Sequence, residues 1–488
     1  MVIESLKYKI LQQFGFAPTQ EQGQALDTFV SFLTDRDPQA VMILRGSAGT
    51  GKTSLSGAIV RTLLQMRQKV MLLAPTGRAA KVFSLGSGAP AYTIHRRIYR
   101  EKAFAGVDGQ FSLNDNLYTD TLFMVDEASM IANMGLGGTT FGSGCLLDDL
   151  VKFVYQGHND RLLLIGDKAQ LPPVGEEESP ALSASVMEGY GLKVYECDLN
   201  EVLRQSQSSG ILYNATLIRQ MITHDAVTGL PLIRFKGFAD IVMMPGAELV
   251  ESLGDSYHHV GMDETMVITR SNKRANIYNN GIRNMVLDRE EELSSGDMLM
   301  IVKNNYFWTE KEKKESGEGS AGAVPAFLAN GDRAKVLRVS NYIELYGFRF
   351  ATLLLQLPDY DDYEMQVTGM LDTLQSESPA LTHEQQEELF RQVEEDYQHF
   401  VPLKADRMKS IRQDAYFNAL QIKYAYAVTC HKAQGGQWAH VYVDQGYMTD
   451  DMLTPDYIHW LYTAFTRATD KLFLVNWPKE QTCEPTDL

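Results

Sequence analysis

The stretch AVMILRGSAGTGKTS, residues 40 to 54, decides the fold. Its opening run, Ala40 to Arg45, reads as a buried strand, and KTSLSGAIVRTLLQM from Lys52 onward reads as a helix. The turn between them meets the spacing G-x-x-x-x-G-K-[ST] at Gly46, Gly51, Lys52 and Thr53. Glycines there let successive backbone N–H groups wrap phosphate oxygens, and the helix start adds the positive end of its dipole. Lys52 is spaced to reach the outer phosphates and Thr53 to ligate Mg²⁺. Ser47, Ala48, Gly49, Thr50 and Ser54 complete the nucleotide-contact set.

Neighbouring strands should supply the rest of such a site. TLFMVDEAS, residues 121 to 129, places Asp126 at a strand end, where it can hold Mg²⁺ through water. Glu127 follows it and can orient or deprotonate the attacking water. RLLLIGDKAQLPPVG, residues 161 to 175, is a third strand, with Gln170 just past its end as a gamma-phosphate sensor. Ligands of open parallel sheets collect at these edges. Pro172 and Pro173 stiffen the loop. VMLLAPTGRAAKVF, residues 70 to 83, is another strand, turn and helix, and its polar turn, Thr76 to Arg78, can hold a phosphate of ATP or of a polymer.

The whole chain sets bounds. Its 488 residues suffice for two to four domains, and an apolar share of 44% excludes disorder throughout. No run of eighteen apolar residues occurs, so no membrane partner is expected. The first residues, MVIESLKYKILQQFG, read as a short amphipathic helix and lack a signal-peptide pattern. The cysteines, at 145, 197, 430 and 483, show no metal-ligand spacing and fit a reducing, cytoplasmic compartment. A net charge of -17 argues against coating nucleic acid by bulk attraction, while leaving room for a narrow basic channel.

In this order, GSAGTGKTS, APTGRAA, VDEAS and GDKAQLPPVG resemble the motifs of superfamily 1 helicases, closest to the RecD-like and Dda-like branch of superfamily 1B. LNEVLRQ (199 to 205), YAYAVTCHKAQGGQWAHVYVD (424 to 444) and WLYTAFTRATDKLFLV (460 to 475) extend the likeness over nearly the whole chain. The resemblance implies an ATP- and Mg²⁺-dependent motor that moves 5′ to 3′ on single-stranded DNA. It implies an α/β fold with two RecA-like parallel-sheet motor domains in tandem, an inserted small hairpin domain and an inserted SH3-like β-barrel. Single-stranded DNA and single-strand/duplex junctions are the implied partners, together with nuclease, replication or repair proteins. The implied boundaries are 1–92 and 121–200 for the first motor domain, 93–120 for the hairpin, 201–331 and 421–488 for the second motor domain, and 332–420 for the barrel with a helical extension.

The same resemblance assigns residues. Gln22, in PTQEQ, matches the adenine-reading position, and Arg204 and Arg467 match the arginines that approach the gamma-phosphate. Gln437 stands where the family often has an acidic residue, so a carboxamide is left to meet ribose or phosphate. Thr429, His431 and Lys432, with Gln434 and Gly435, look like the family's link between nucleotide and DNA. Thr76, Thr93, His95 and Arg96 in one half, and Thr269 and Asn272 in the other, match strand-contact positions.

Residues 84 to 120 read as a basic helix, a strand, the turn AGVDGQ and a returning strand, the place where the family carries a duplex-splitting pin. Phe104, Val107 and Phe111 flank the tip; the aromatics either stack on a base pair or pack into the small domain. MIANMGLGGTTFGSGCLLDDL (130 to 150) reads as a mobile glycine-rich loop, and EKKESGEGSAGAV (312 to 324) as a flexible one. LTHEQQEELFRQVEEDYQHF has helical periodicity, and its Glu-rich face favours packing on another domain over DNA contact.

Overall fold

The computed structural model describes residues 2–105, 108–135, 142–201, 208–223, 229–316, 324–325, 327–401, 403–449 and 452–483, with backbone alone at 2–4, 101–105 and 108–110. The chain divides into two compact units, Met1–Met244 with Ala433–Leu488, and Pro245–Lys432.

The first unit is built on strands β1 (Ala40–Gly46), β2 (Lys69–Ala74), β3 (Ala91–Thr93), β6 (Thr121–Val125), β7 (Arg161–Gly166) and β8 (Lys193–Leu199). They lie parallel in the order β3-β2-β6-β7-β1-β8. Every residue of β1, β6 and β7 is buried, as an unbroken apolar run in a sheet covered on both faces requires. The β1 side chains alternate between two cores. Val41 and Ile43 meet Phe123, Leu162 and Phe153, the last from the helix Leu146–Gln156. Met42 and Leu44 meet Ile10, Phe29 and Leu55, from the helices Val2–Phe14, Gln20–Thr34 and Lys52–Gln65.

Between β3 and β6 the chain makes the helix Ile94–Ile98 and an antiparallel hairpin, β4 (Tyr99–Ala105) with β5 (Asp108–Leu113). Val107 lies outside the described residues. Phe111 packs on the first-sheet core. The glycine-rich excursion is described at its two ends, and 136–141 lie outside. At the second end, the Gly142 N–H donates to the Phe111 carbonyl at 2.8 Å. Asp149, which is buried, accepts from the Tyr99 hydroxyl at 2.7 Å and from the Ser143 N–H at 3.0 Å. A Cβ on Gly142 would stand 2.0 Å from the Asp149 carboxylate, so this position needs glycine. Past β8 come the helix Gly210–Thr223 and strand β9 (Ile241–Met244).

In the second unit β10 (Thr265–Thr269) leads into the helix Asn272–Gly281. A closed barrel follows: β11 (Met298–Ile301), β12 (Arg333–Leu345), β13 (Phe348–Leu357), β14 (Tyr363–Met370) and β15 (Leu420–Tyr424). Its pairings are antiparallel apart from β14 with β15. The barrel takes its first strand from ahead of residue 332. The stretch 312 to 324 is corrected in part: the helix Phe307–Ser316 runs through EKKES. Trp308 and Thr309 anchor that helix in the interior, Glu and Lys favour its continuation, and the glycine-rich part begins only afterwards. The helices His383–Gln398 and Lys404–Arg412 lay Leu389, Val393 and Ile411 on Phe348, Phe350 and Met370 of the barrel. β16 (Ala427–Thr429) pairs parallel with β10.

The chain re-enters the first unit at Ala433. β17 (Trp438–Asp444) and β18 (Ala468–Val475) join β9 in the parallel order β17-β18-β9, with the helix Pro455–Phe465 between them in sequence. The fold is therefore α/β, two RecA-like parallel-sheet domains in tandem with an inserted hairpin and an inserted SH3-like barrel. Among the described residues no helix is long and apolar enough to cross a membrane.

Candidate active site

The expected site residues of the first sheet gather at its C-terminal edge. β1 ends in Gly46, where a Cβ would lie 2.9 Å from both Lys52 Cγ and Thr50 Oγ1, so the loop closes only over glycine. Gly49 and Gly51 have φ of 77° and 81°, which L side chains rarely adopt. These glycines turn the chain sharply into the helix Lys52–Gln65, whose first residue is the lysine and whose N-cap makes no side-chain hydrogen bond. Lys52 Nζ donates to the carbonyls of Gly46 at 2.5 Å and Ser47 at 3.0 Å. Thr53 and Ser54 follow on the exposed first turn. Gln22 is buried; its Nε2 donates to the Thr50 carbonyl at 2.9 Å and its Oε1 accepts from the Thr19 N–H at 3.0 Å. The same amide thus closes a capping box and tethers the loop.

Asp126 and Glu127 follow β6 directly. The Asp126 N–H donates to Leu73 on the neighbouring strand at 3.0 Å, and its carboxylate accepts the Glu127 N–H at 2.9 Å. Burial, with the Glu127 charge beside it, pushes the Asp126 carboxyl up to about 7, and Lys52 pulls the other way. Glu127 has a φ of 52°, a conformation uncommon outside glycine that turns the chain at the strand end. Gln170 is buried past β7, and its Oε1 has no hydrogen-bond partner among the described residues. An orphaned acceptor in the loop that follows β7, the strand between β1 and β6, suits a site that receives a water or a donor from outside the chain. The residues fit a triphosphate with its cation: backbone donors and Lys52 for the phosphates, Thr53 and Asp126 for Mg²⁺.

The loop carrying Gln170 is fastened by the last part of the chain. His459 Nδ1 donates to the Ala169 carbonyl at 2.9 Å, Thr463 Oγ1 accepts the Leu171 N–H at 2.8 Å, and Gln434 Nε2 donates to the Leu171 carbonyl at 2.7 Å. Tyr462 donates to Asp167 at 2.6 Å and accepts the Ala48 N–H at 3.0 Å. Arg467 is 2% exposed, with its guanidinium on the carbonyls of Thr463 and Gly436, each at 3.1 Å, and on Thr466 Oγ1 at 3.2 Å. Gly435 and Gly436 are needed by close approach: a Cβ on Gly435 would lie 3.0 Å from Thr76 Oγ1, and one on Gly436 2.5 Å from the Trp438 ring. The Gln437 side chain is exposed, and its carbonyl accepts from Arg78, which lies 4.5 Å over Trp438. Arg204 lies outside the described residues.

Sequence reading passed over Tyr462, Thr463, His459 and Arg219. The first three sit at i, i+3 and i+4 in WLYTAFTRA and its preceding turn, a spacing that puts them on one helix face. That signal was legible. Arg219, from the helix Gly210–Thr223, hydrogen-bonds Ser47 Oγ in the phosphate loop. Nothing in LIRQM distinguishes it from a surface arginine.

The strand-contact candidates fall into two sets. In the first unit, Thr76 and Thr93 are helix N-caps, accepting from the N–H groups of Ala79 at 3.2 Å and Arg96 at 3.4 Å. Ala74 and Thr93 are register partners, so both turns leave the same sheet edge. His95 tilts against Tyr99 with ring centroids 5.7 Å apart, and burial holds its imidazole down to about 4, so it is neutral near pH 7. Arg96 lies over Tyr92 at 5.0 Å. In the second unit, Thr269 and Thr429 are register partners at the ends of β10 and β16, Asn272 opens the following helix, and His431 is exposed. Thr269 is itself buried, with its hydroxyl on the Ser271 carbonyl at 3.1 Å. Burial and the nearby Lys423 lower the Lys432 ammonium to about 8, and it reaches Asn330.

This arrangement defines a P-loop nucleoside-triphosphate site. Residues 17–229 match the family described as AAA domain, and residues 424–475 the UvrD-like helicase C-terminal domain. The chain is 30% identical over 157 residues to the ATP-dependent RecD2 DNA helicase of Deinococcus radiodurans, covering 32% of this chain and 18% of that protein. It is 25% identical over 267 residues to the ATP-dependent DNA helicase dda of Enterobacteria phage T4, covering 53% and 55%. The match thus spans less than two thirds of either relative's length. The crystal structure of a Pif1 helicase from Bacteroides in complex with ADP-AlF3 and ssDNA aligns over 96% of this chain and 95% of that one, at 13% identity and a TM-score of 0.46. These matches agree with the resemblance to superfamily 1B helicases of the RecD-like and Dda-like branch.

Proposed function

We propose that this protein hydrolyses ATP to move 5′ to 3′ along single-stranded DNA and to unwind duplex at a single-strand/duplex junction. The observation that carries the reading is the fastening of the Ala169–Leu171 loop by His459, Thr463 and Gln434. The loop of the gamma-phosphate sensor is thereby bonded to the HKAQG segment, which resembles the family's link between nucleotide and strand, and to the helix that leads to Arg467. A plain P-loop kinase has no need of that linkage.

In the cycle we infer, the loop N–H groups and Lys52 bind the triphosphate. Thr53 and Asp126 would hold Mg²⁺, which would supply charge stabilisation at the phosphates. Glu127 takes the proton of the attacking water, Gln170 orients that water, and Arg467 and Arg204 balance the charge that develops on the gamma-phosphoryl group. Thr76, Thr93, His95 and Arg96, and separately Thr269, Asn272, Thr429, His431 and Lys432, hold the strand. Neutral His95 and the capping threonines are suited to hydrogen bonds with the sugar-phosphate chain, with Arg96 supplying charge. The hairpin stands as the wedge.

The test is unwinding of two otherwise identical duplexes, one with a 5′ single-stranded tail and one with a 3′ tail. Unwinding of the 5′-tailed duplex alone is expected. Preference for the 3′ tail overturns the polarity, and ATP hydrolysis without unwinding of either overturns the helicase reading.

A further inference from the structure

The nucleotide reading uses the phosphate loop, the β6 carboxylates, Gln170 and Arg467, and leaves one buried group without a task. Tyr462 lies in the helix Pro455–Phe465, with its side chain fully enclosed. Its hydroxyl donates to Asp167 Oδ2 at 2.6 Å and accepts the Ala48 N–H at 3.0 Å. Asp167 Oδ1 in turn accepts the Ala169 N–H at 3.0 Å, and the Asp167 carbonyl accepts the Gln170 N–H at 3.2 Å. A continuous run of hydrogen bonds therefore leads from the third residue of the phosphate loop to the backbone of Gln170. It passes through one phenol on the helix that ends just before Arg467.

Packing alone does not explain this arrangement. A phenylalanine would fill the same space, and burying a hydroxyl is unfavourable unless it is bonded on both sides. Burial and the Asp167 charge hold the phenol pKa well above its ordinary value, so it stays a donor to Asp167. The Ala48 side of the run is the weaker one, a neutral bond between an amide and a phenol. Ala48 belongs to the loop whose N–H groups cradle phosphate in sites of this kind. A phosphate oxygen is a charged acceptor and makes a bond roughly twice as strong as a neutral one. It can take the Ala48 N–H from the phenol, whereas the bond to the Asp167 carboxylate is itself charge-assisted and persists.

We infer that Tyr462 is a positioning residue that reports occupancy of the phosphate loop to the Gln170 loop and to the arginine-bearing helix. This rests on the nucleotide reading above and deepens it. With the loop filled, Tyr462 is released from Ala48 and remains held by Asp167. The helix Pro455–Phe465 then moves with the Gln170 loop and no longer with the phosphate loop. Tyr462 touches neither the reacting atoms nor the strand; it acts through Asp167 and Ala48.

The experiment compares wild type with Tyr462→Phe, Asp167→Ala and the double variant. Each is assayed for ATP turnover alone and with saturating oligo-dT, for the ATP KM, and for affinity for a fluorescent non-hydrolysable ATP analogue. In Tyr462→Phe the ratio of DNA-stimulated to unstimulated turnover is expected to fall about fivefold or more, the low end of an ordinary coupling between sites. Analogue affinity is expected to stay within about twofold or to tighten, since the Ala48 N–H is freed, and the double variant to be no worse than the worse single one. An unchanged ratio overturns the inference. So does a loss of analogue affinity in step with turnover, or effects that multiply in the double variant. If Tyr462→Phe melts below the assay temperature, Asp167→Ala decides by the same ratio. A wild type that does not hydrolyse ATP overturns the nucleotide reading itself, a result distinct from all of these.

Discussion

Gln22 donates its amide N–H to the carbonyl of Thr50 at 2.9 Å, so the residue matched to adenine reading is also a tether of the phosphate loop. The two tasks make different demands. Loss of the tether loosens the loop for any triphosphate, and loss of a base contact harms ATP alone. Gln22→Ala is expected to raise the ATP KM by roughly tenfold, about the worth of one buried hydrogen bond and its unpaired partner, and to raise the GTP KM by a smaller factor. Steady-state KM values for both nucleotides check this. An equal rise would leave Gln22 with the tether only.

Lys52→Ala is expected to weaken both nucleotide binding and turnover, because it removes the side chain spaced for the outer phosphates. Glu127→Gln is expected to keep binding and to lose turnover about a hundredfold or more, since the water loses its base while Asp126 and Thr53 remain. Nucleotide affinity measured beside the steady-state rate separates the two. Near-normal turnover in Glu127→Gln would remove Glu127 from the role of base.

How far the sequence carried this reading depends on the range of the interactions involved. The phosphate loop was legible because glycine spacing, the strand before it and the helix after it are all local in the chain. Asp126 followed because an apolar run ends immediately before it, and Gln170 because it lies four residues past the end of another, at Gly166. Tyr462 with Asp167, and Arg219 with Ser47, join residues far apart in sequence, and no local pattern announces such a pair. Trp308 shows the reverse error. A polar, glycine-containing stretch from residue 312 read as a loop, but a buried tryptophan upstream holds its first residues in a helix. The barrel's first strand, Met298–Ile301, was missed because four residues of apolar character fit a motor-domain strand equally well.

Arg467 spends its fork on Thr463, Gly436 and Thr466, so its replacement touches structure as well as chemistry. Arg467→Ala is expected to lower the melting temperature and to cut turnover about a thousandfold, the low end of what an arginine at a transferring phosphoryl group supplies. Arg467→Lys keeps the charge but cannot reproduce the fork. It should regain part of the melting temperature and little of the turnover. Calorimetry and kcat on both variants test the split; full recovery of kcat by lysine would show that charge alone suffices.

Asp332, in the second unit, gives a pH prediction away from the nucleotide site. Its Oδ2 accepts from the Ala329 N–H at 2.7 Å and the Tyr360 hydroxyl at 2.6 Å, while Oδ1 is buried without a partner among the described residues. Burial raises its carboxyl from the ordinary 3.8 to about 7. The folded chain therefore holds a proton that the unfolded chain has released between those values. Its contribution to stability is present below about 4 and is lost as pH rises toward about 7. Asp332→Asn keeps an acceptor for both donors and does not titrate. The difference in melting temperature, variant minus wild type, should grow across that interval and level off above it. A difference independent of pH would show that Asp332 ionises normally.

The hairpin's footing gives the last prediction. Tyr99 opens β4, and its hydroxyl reaches the buried Asp149 carboxylate at 2.7 Å; the same carboxylate takes the Ser143 N–H at 3.0 Å. On the other strand the Phe111 carbonyl takes the Gly142 N–H at 2.8 Å. Both strands of the hairpin are thus tied to the chain that leads into the helix Leu146–Gln156, a helix packed on the first sheet. A wedge must resist sideways force from the strand it displaces, and this footing is where that force would be borne. Moving along a single strand imposes no such load. Tyr99→Phe removes the bond to Asp149 and keeps the ring in place. Duplex unwinding should fall about tenfold or more, in line with the loss of one charge-assisted hydrogen bond, while ATP turnover stimulated by single-stranded DNA stays near wild type. The measurement is the unwinding rate of a 5′-tailed duplex set against single-strand translocation for the same variant. If both rates fall together, the Tyr99–Asp149 bond supports the motor sheet. If neither falls, the wedge is held without it, by Phe111 and the first-sheet core.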